Sequence, residues 1–246
     1  MREELLDIIE HTYDLKLLDK VLVTSDDKET VIQSMDAGRS IVMKGTLNAP
    51  IEDLKGQFGM GNLDQLKGLC LSTSFKTDDS KITVKRKSQG SETFPEQFIF
   101  SGPNAKMNYR CMLASAIDPQ PNFRGSEWDV DITLAKGSII EFSDLCNIMK
   151  SEQFMYVELD EKTLKFYIGS PDSSENGGMV EMAHNVSGEL KNIFQWKIQH
   201  FLSICRLAKG DVSLRILSRG LINISMDSDY GSYEYYLPRY IVEEGK

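Results

Sequence analysis

The sequence predicts an α+β chain built as two similar halves, and three observations predict it. Short β-rich runs alternate with brief helical stretches along the whole chain. The order of these elements repeats in the second half. A stretch dense in proline and other breakers separates the halves near the middle. With 246 residues, 41% hydrophobic and 26% charged, the chain is long enough for two domains with real cores and is not a disordered polymer.

The first predicted element is a helix over residues 2–13. Leu5, Ile8, Ile9 and Tyr13 fall at helical spacing there, with Glu3, Glu4, Asp7 and Glu10 between them. Strands follow at 20–26, 29–36 and 40–47, separated by Asp-Asp-Lys and Ala-Gly-Arg turns. The run 58–63 leads into a short helix from Leu63 to about Leu71. Three further strands are predicted at 81–87, 95–102 and 108–113. From Ala114 to Glu127 the character changes: Asp118-Pro119, Gln120-Pro121, Asn122 and Gly125 make an extended connector, and Phe123 stands in it without periodic partners.

The second half then repeats the first. A strand over 128–135 precedes a helix over 139–150, with Phe142, Leu145, Cys146 and Met149 on one face. Residues 155–160 and 163–170 form a hairpin around Glu161-Lys162. Another strand, 179–188, follows a loop with Gly177-Gly178. The run 194–198 leads into a short helix from about His200 to Lys209, with Phe201, Ile204, Cys205 and Ala208 inward. Strands at 212–218, 221–227 and 233–241 close the chain. The expected division is therefore 1–113, a connector 114–127, and 128–246.

Composition narrows the function classes. The formal net charge of −9 argues against a basic nucleic-acid surface over the whole protein and leaves room for a local basic patch. No apolar run reaches membrane length, and the acidic, amphipathic start is unlike a signal peptide, so an intracellular, cytoplasmic protein with no membrane partner is expected. Cys70, Cys111, Cys146 and Cys205 lie far apart in apolar stretches with no CxxC pair, which predicts buried reduced thiols. His11, His184 and His200 show no ligand spacing. Asp129-Val130-Asp131 reads as strand alternation rather than a carboxylate pair. Gly59 and Gly61 are followed by no phosphate-loop pattern. No converging catalytic set emerges, so a binding protein is predicted, not an enzyme, with neither cofactor nor metal.

Four stretches carry a resemblance. They are Val31-Ile32-Gln33-Ser34-Met35-Asp36 followed by Ile41 to Leu47; Phe58-Gly59-Met60-Gly61-Asn62-Leu63; Phe194 to Leu202; and Tyr233 to Gly245, where Tyr235-Tyr236-Leu237-Pro238 leads to Ile241 and Glu243-Glu244. In order and spacing they resemble the DNA sliding clamp family, which includes proliferating cell nuclear antigen, the archaeal clamps and the tailed-phage polymerase processivity factors. The resemblance spans nearly the whole chain. It implies two similar clamp domains per subunit, a homotrimeric ring with helices lining the hole and sheets outside, and a client pocket under the connector. The implied function is to encircle double-stranded DNA and tether a DNA polymerase during replication, after an ATP-driven clamp loader opens the ring. The alternative is a ring-shaped scaffold that mainly recruits repair or transcription proteins. The length and mixture of features lean to a phage source, and hence to the host cytoplasm. Two departures stand out. Family chains usually begin with a short strand before the first helix, whereas a helix is predicted first here. That helix is also acidic outside its apolar stripe, where the family's inner helices are rich in Lys and Arg.

On this resemblance, the candidate DNA-facing residues are Lys67, Lys76, Lys150, Lys197, Arg206 and Lys209, because a sliding ring must attract phosphates without reading bases. The denser run Lys81, Lys85, Arg86 and Lys87 alternates across a strand and reads as outer surface. The candidate partner-binding residues are Met35, Val42, Phe123, Leu237, Pro238 and Ile241, with Met35 and Val42 as floor and Pro238 and Ile241 as wall.

Overall fold

Apolar side chains at helical spacing open the chain. Leu5, Ile8 and Ile9 are fully buried on α1 (Arg2–Glu10), while Glu3 and Glu10 face solvent. The computed structural model describes residues 1–90, 92–121, 127–171 and 176–241. After α1 come β1 (Val21–Ser25), β2 (Thr30–Met35), β3 (Val42–Leu47), β4 (Gly56–Met60), α2 (Leu63–Leu71), β5 (Lys81–Gln89), β6 (Glu92–Ser101) and β7 (Lys106–Arg110). The second half holds β8 (Val130–Leu134), α3 (Lys136–Ile148), β9 (Phe154–Asp160), β10 (Thr163–Ile168), β11 (Gly178–Ala183), β12 (Phe194–Lys197), α4 (Ile198–Cys205), β13 (Val212–Leu217), β14 (Leu221–Asp227) and β15 (Gly231–Pro238).

The chain divides into two compact units, residues 1–37, 42–122 and 227–233 in the first, and 38–41, 123–226 and 234–246 in the second. The described part of the connector thus belongs with the first unit, and β15 contributes its start to one unit and its end to the other.

The internal repeat is visible in strand order. In the first unit, four antiparallel strands run β4-β1-β2-β3; in the second, β12-β9-β10-β11. Position by position these are the same arrangement. A consecutive antiparallel set follows in each half, β5-β6-β7 and then β13-β14-β15, with β8 added beside β13. Alternating burial explains the pairing faces: β2 and β10 bury every second residue, as half-buried strands do. The β9–β10 hairpin turns at Glu161 and Lys162, both at positive φ (45° and 67°), the geometry that matches the twist of the flanking strands.

Each core is centred on aromatic rings. In the first unit, Phe58 meets Phe98 edge-on at 6.0 Å, Phe98 stacks near Tyr109 at 5.8 Å, and the Tyr109 hydroxyl donates to the Gly61 carbonyl. In the second, Phe142, Phe166 and Phe201 form a triangle with centroids 5.4–6.0 Å apart. The Trp196 indole N–H donates to the Leu237 carbonyl at 3.1 Å.

The first unit also contains the start of the last strand. There β3 has the beginning of β15 as its outer neighbour. Gly45 makes room for it, since a Cβ at that position would meet the Tyr233 ring at 2.6 Å. Asp7 on α1 is buried, and its Oδ2 accepts from the Tyr233 hydroxyl at 2.6 Å and from the Ser228 hydroxyl at 3.0 Å. The His11 ring lies parallel on Tyr233 at 3.7 Å. A hydroxyl bonded to a buried carboxylate contributes about 1.5–3 kcal/mol. Tyr233→Phe is therefore expected to lower unfolding free energy by about that amount in urea denaturation. An unchanged midpoint contradicts this role.

Candidate functional site

Two concave surfaces stand out, one in each unit. In the first unit a cavity of about 100 Å³ opens between β1, β2 and the connector. Leu22, Met35 and Ile117 supply apolar lining, Gln33 and Gln120 supply amides, and Asp19, Asp36 and Asp118 stand around it. It is too small for a drug-sized molecule, whose sites run to roughly 300–1,000 Å³, and has room for a single side chain. The connector reaches this position through the glycines of the 58–63 run. A Cβ on Gly59 would lie 2.9 Å from Ile117 Cγ1 and 3.0 Å from Met112 Cβ, so the bare backbone seats both. Gly59 and Met112 exchange backbone hydrogen bonds of 2.9 and 2.8 Å, pinning the connector's start to β4. Gln120 Nε2 donates to the Met43 carbonyl at 3.0 Å and holds its further end. Gly59→Val is accordingly expected to push Ile117 out and to speed amide exchange across residues 113–121. Unaltered exchange there contradicts this seating.

In the second unit a larger cleft, about 440 Å³, runs along α4 beside the end of α3. Lys150, Lys197 and Arg206 line it together with the amides of Asn147 and Gln199, opposed by Glu152. Lys150 and Arg206 are exposed, and the Lys197 ammonium lies 5.4 Å from the Tyr240 ring centroid. Cys146 also lines this cleft, but burial pushes its thiol up to about 11, so it is neutral at physiological pH. Burial likewise raises the Cys70 thiol to about 11 and that of Cys111 to about 12. A thiol held neutral is a poor nucleophile. Thiol reagents at pH 8 are expected to label the native chain slowly and the urea-unfolded chain quickly. Fast native labelling contradicts the burial.

Sequence reasoning selected three of the cleft's cations, and the structure brings Lys150, Lys197 and Arg206 together. Lys209 is exposed beyond α4, and its carbonyl accepts from the Lys136 ammonium at 3.0 Å. Lys67 is differently placed: its ammonium is bidentate to Asp14, 2.7 Å to each oxygen, so much of its charge is spent within the first unit. Lys76 is exposed after the turn Thr73–Phe75.

Of the partner-binding candidates, Met35 lines the first-unit cavity and is paired in register with Val42. Val42, a floor candidate, and Leu237 are both buried. Val42 is 9% exposed, and Leu237, at 1%, takes an inward position in the alternation of β15, its carbonyl accepting from the Trp196 indole N–H. Pro238 is exposed, and Ile241 is 67% exposed. Phe123, and the acidic pair Glu243-Glu244, lie outside the described residues. Leu22, Gln33, Ile117 and Gln120 were missed by sequence reasoning; the Gly-Met-Gly run was the signal that something packs there. Among the described residues, no group of His, Cys, Asp or Glu is placed to hold a metal, and no helix is long and apolar enough to cross a membrane.

Two like halves, each with a helix, four strands, a second helix and three strands, the second with β8 added ahead of its helix, make up the DNA clamp fold. The comparison with solved structures agrees. The chain is similar to one in the structure described as "C-terminal region of FEN-1 bound to A. fulgidus PCNA", with a TM-score of 0.68 over 98% of this chain and 97% of that one. Sequence identity is 12%, so the likeness is one of fold. No family model and no curated protein matches the sequence.

Proposed function

We propose that this chain is a sliding clamp subunit: a ring-forming processivity factor that encircles duplex DNA and tethers a polymerase, and that a loader opens. The observation that carries the reading is the clamp fold over both units, matched along 98% of the chain. The function is topological, so it needs no tight DNA contact and no bond-making residue.

Open strand edges support ring closure. In the first unit the outer edge of β3 is occupied by the start of β15. The equivalents of these two strands in the repeat are β11 and β7, and both are sheet edges. An open edge invites another strand. Pairing β11 of one copy with β7 of the next reproduces the β3–β15 arrangement between chains, a head-to-tail contact that closes into a ring. Charge and apolar surface fit this pairing. Exposed Lys106, Met107 and Arg110 lie on β7, and exposed Met179 and Glu181 on β11. Light scattering is expected to give a species near three times 27.8 kDa. Lys106→Glu with Arg110→Glu is expected to weaken assembly by about tenfold or more, since like charges face each other across the contact. A wild-type monomer at every concentration contradicts the ring.

Polymerase run length on primed circular DNA, with the protein and its loader, tests the function itself. Longer runs support the processivity reading. Loading without any effect on run length moves the assignment to a scaffold that recruits repair or transcription proteins.

A further inference from the structure

Among the described residues the internal repeat is incomplete at one place. In the second half, β13 opens a consecutive antiparallel set and has β8 on its other side, paired from Val212↔Leu134 to Ile216↔Val130. Its counterpart in the first half is β5, which opens the set β5-β6-β7. The two strands share a pattern of aliphatic, hydroxyl, aliphatic, cation: Val212-Ser213-Leu214-Arg215 in one and Ile82-Thr83-Val84-Lys85 in the other. Yet among the described residues no strand pairs with the far side of β5, which ends its sheet. Burial differs accordingly. Val212 and Leu214 are 0% exposed, whereas Ile82 and Val84 are only half-buried.

The two faces of this edge have different chemistry. On one face Ile82 pairs with Phe100 and Val84 with Phe98, both rings fully buried, so the two aliphatic side chains form the rim of the first unit's aromatic core. On the other face Lys81 and Lys85 are exposed, in rows that continue across β6 to Lys106 and Arg110 on β7. Glu96 answers Lys85 at 3.1 Å and Arg110 at 4.0 Å, and among the described residues no ion pair holds Lys81. A β-bulge between Lys85 and Arg86 ends the regular stretch. That leaves Lys81–Lys85, five residues, matching the five over which β8 pairs with β13.

We infer that β5 is a strand-docking site for an extended segment of a partner protein in which apolar and acidic residues alternate. An open edge takes an added strand through its main chain, and side-chain chemistry selects which strand. The apolar residues of the segment fall opposite Ile82 and Val84 and lengthen the rows that end in Phe100 and Phe98. An acidic residue falls opposite Lys85, as Asp131 falls opposite Arg215 in the second half, and a further one meets Lys81. The repeat contains a sequence of this kind: β8 buries Val130 and Leu134 and exposes Asp131 and Thr133. A second copy of this chain is a poor occupant, because lysines of two β5 edges would face one another. The proposed ring contact uses β7, the opposite edge of the same sheet, so the site goes beyond that reading and does not rest on it.

The test uses the full-length protein and a fluorescein-labelled peptide of residues 128–135, with affinity read by anisotropy and location by amide exchange in a mass spectrometer. Without peptide, amides in 81–85 are expected to exchange faster than those in 212–216. A ligand at one site protects by a factor of one plus its concentration over Kd, so peptide at about four times Kd is expected to slow exchange in 81–85 by about fivefold. On the wild-type protein, peptide carrying Asp131→Lys is expected to bind several-fold more weakly, and peptide carrying Ile132→Pro, which cannot join a ladder, to lose binding. K81E/K85E is expected to weaken binding by about tenfold or more while melting like wild type, since attraction turns to repulsion at exposed positions. Peptide that protects no part of 81–85, or that binds K81E/K85E or its own Asp131→Lys form as tightly, overturns the assignment. So does faster exchange in 212–216, which means that the peptide has displaced β8. Protection of 81–85 that rises with protein concentration alone makes a second copy the occupant and contradicts the partner segment. A chain that passes these tests as a monomer keeps the site and loses the ring.

Discussion

The buried carboxylate of Asp7 is the interaction on which the rest of the architecture depends. It sits one turn into the first helix and accepts hydroxyl protons from Ser228 and Tyr233, which lie more than 220 positions later. A buried carboxylate without such donors carries a large desolvation cost, so the pairing is strongly enforced. It brings the start of the last strand beside β3, and Gly45 and the His11 ring shape the space that Tyr233 fills. With β3 covered in this way, its counterpart in the repeat, β11, and the counterpart of β15, β7, remain sheet edges. The head-to-tail assembly we propose rests on that asymmetry between β3, whose edge is satisfied within the chain, and its repeat counterpart β11, whose edge is not.

The two concave surfaces have different physical origins. The first-unit cavity exists because of what is missing: Gly59 has no side chain, and the Pro119 and Pro121 connector lacks the donors to join a ladder. The second-unit cleft exists because of what is present, namely three long cationic side chains from three places in the sequence around one short helix. The protein as a whole is strongly acidic, at −9. Net charge governs long-range approach, whereas a cleft focuses the local field, and the two can have opposite sign.

Most of the fold was legible in the sequence. Strand alternation and turn residues located β1, β2, β3, β9, β10, β13 and β14 to within a residue or two, because half-buried strands write their burial directly into a period of two. Helix ends were less legible. α3 begins at Lys136, before the predicted 139, because the Lys136 N–H is satisfied by the Asp211 carboxylate from 75 residues away. α4 ends at Cys205, and not near Lys209, because the chain tightens through hydrogen bonds from Leu207 to Ile204 and from Ala208 to Cys205. The site was legible in part. Lys150, Lys197 and Arg206 were selected as cations, but nothing local in sequence says that Lys67 is spent on Asp14. Nor does an apolar residue such as Leu237 reveal whether it faces a pocket or the core. Those facts depend on partners distant in sequence.

The proposed clamp holds DNA by surrounding it. Its most direct test is retention on a nicked circular plasmid before and after one restriction cut. Loaded by its partner machinery, the protein should stay on the closed circle and run off within minutes once the DNA has ends, at unchanged salt. Equal dwell on circular and linear DNA would contradict encirclement and leave only ordinary surface binding.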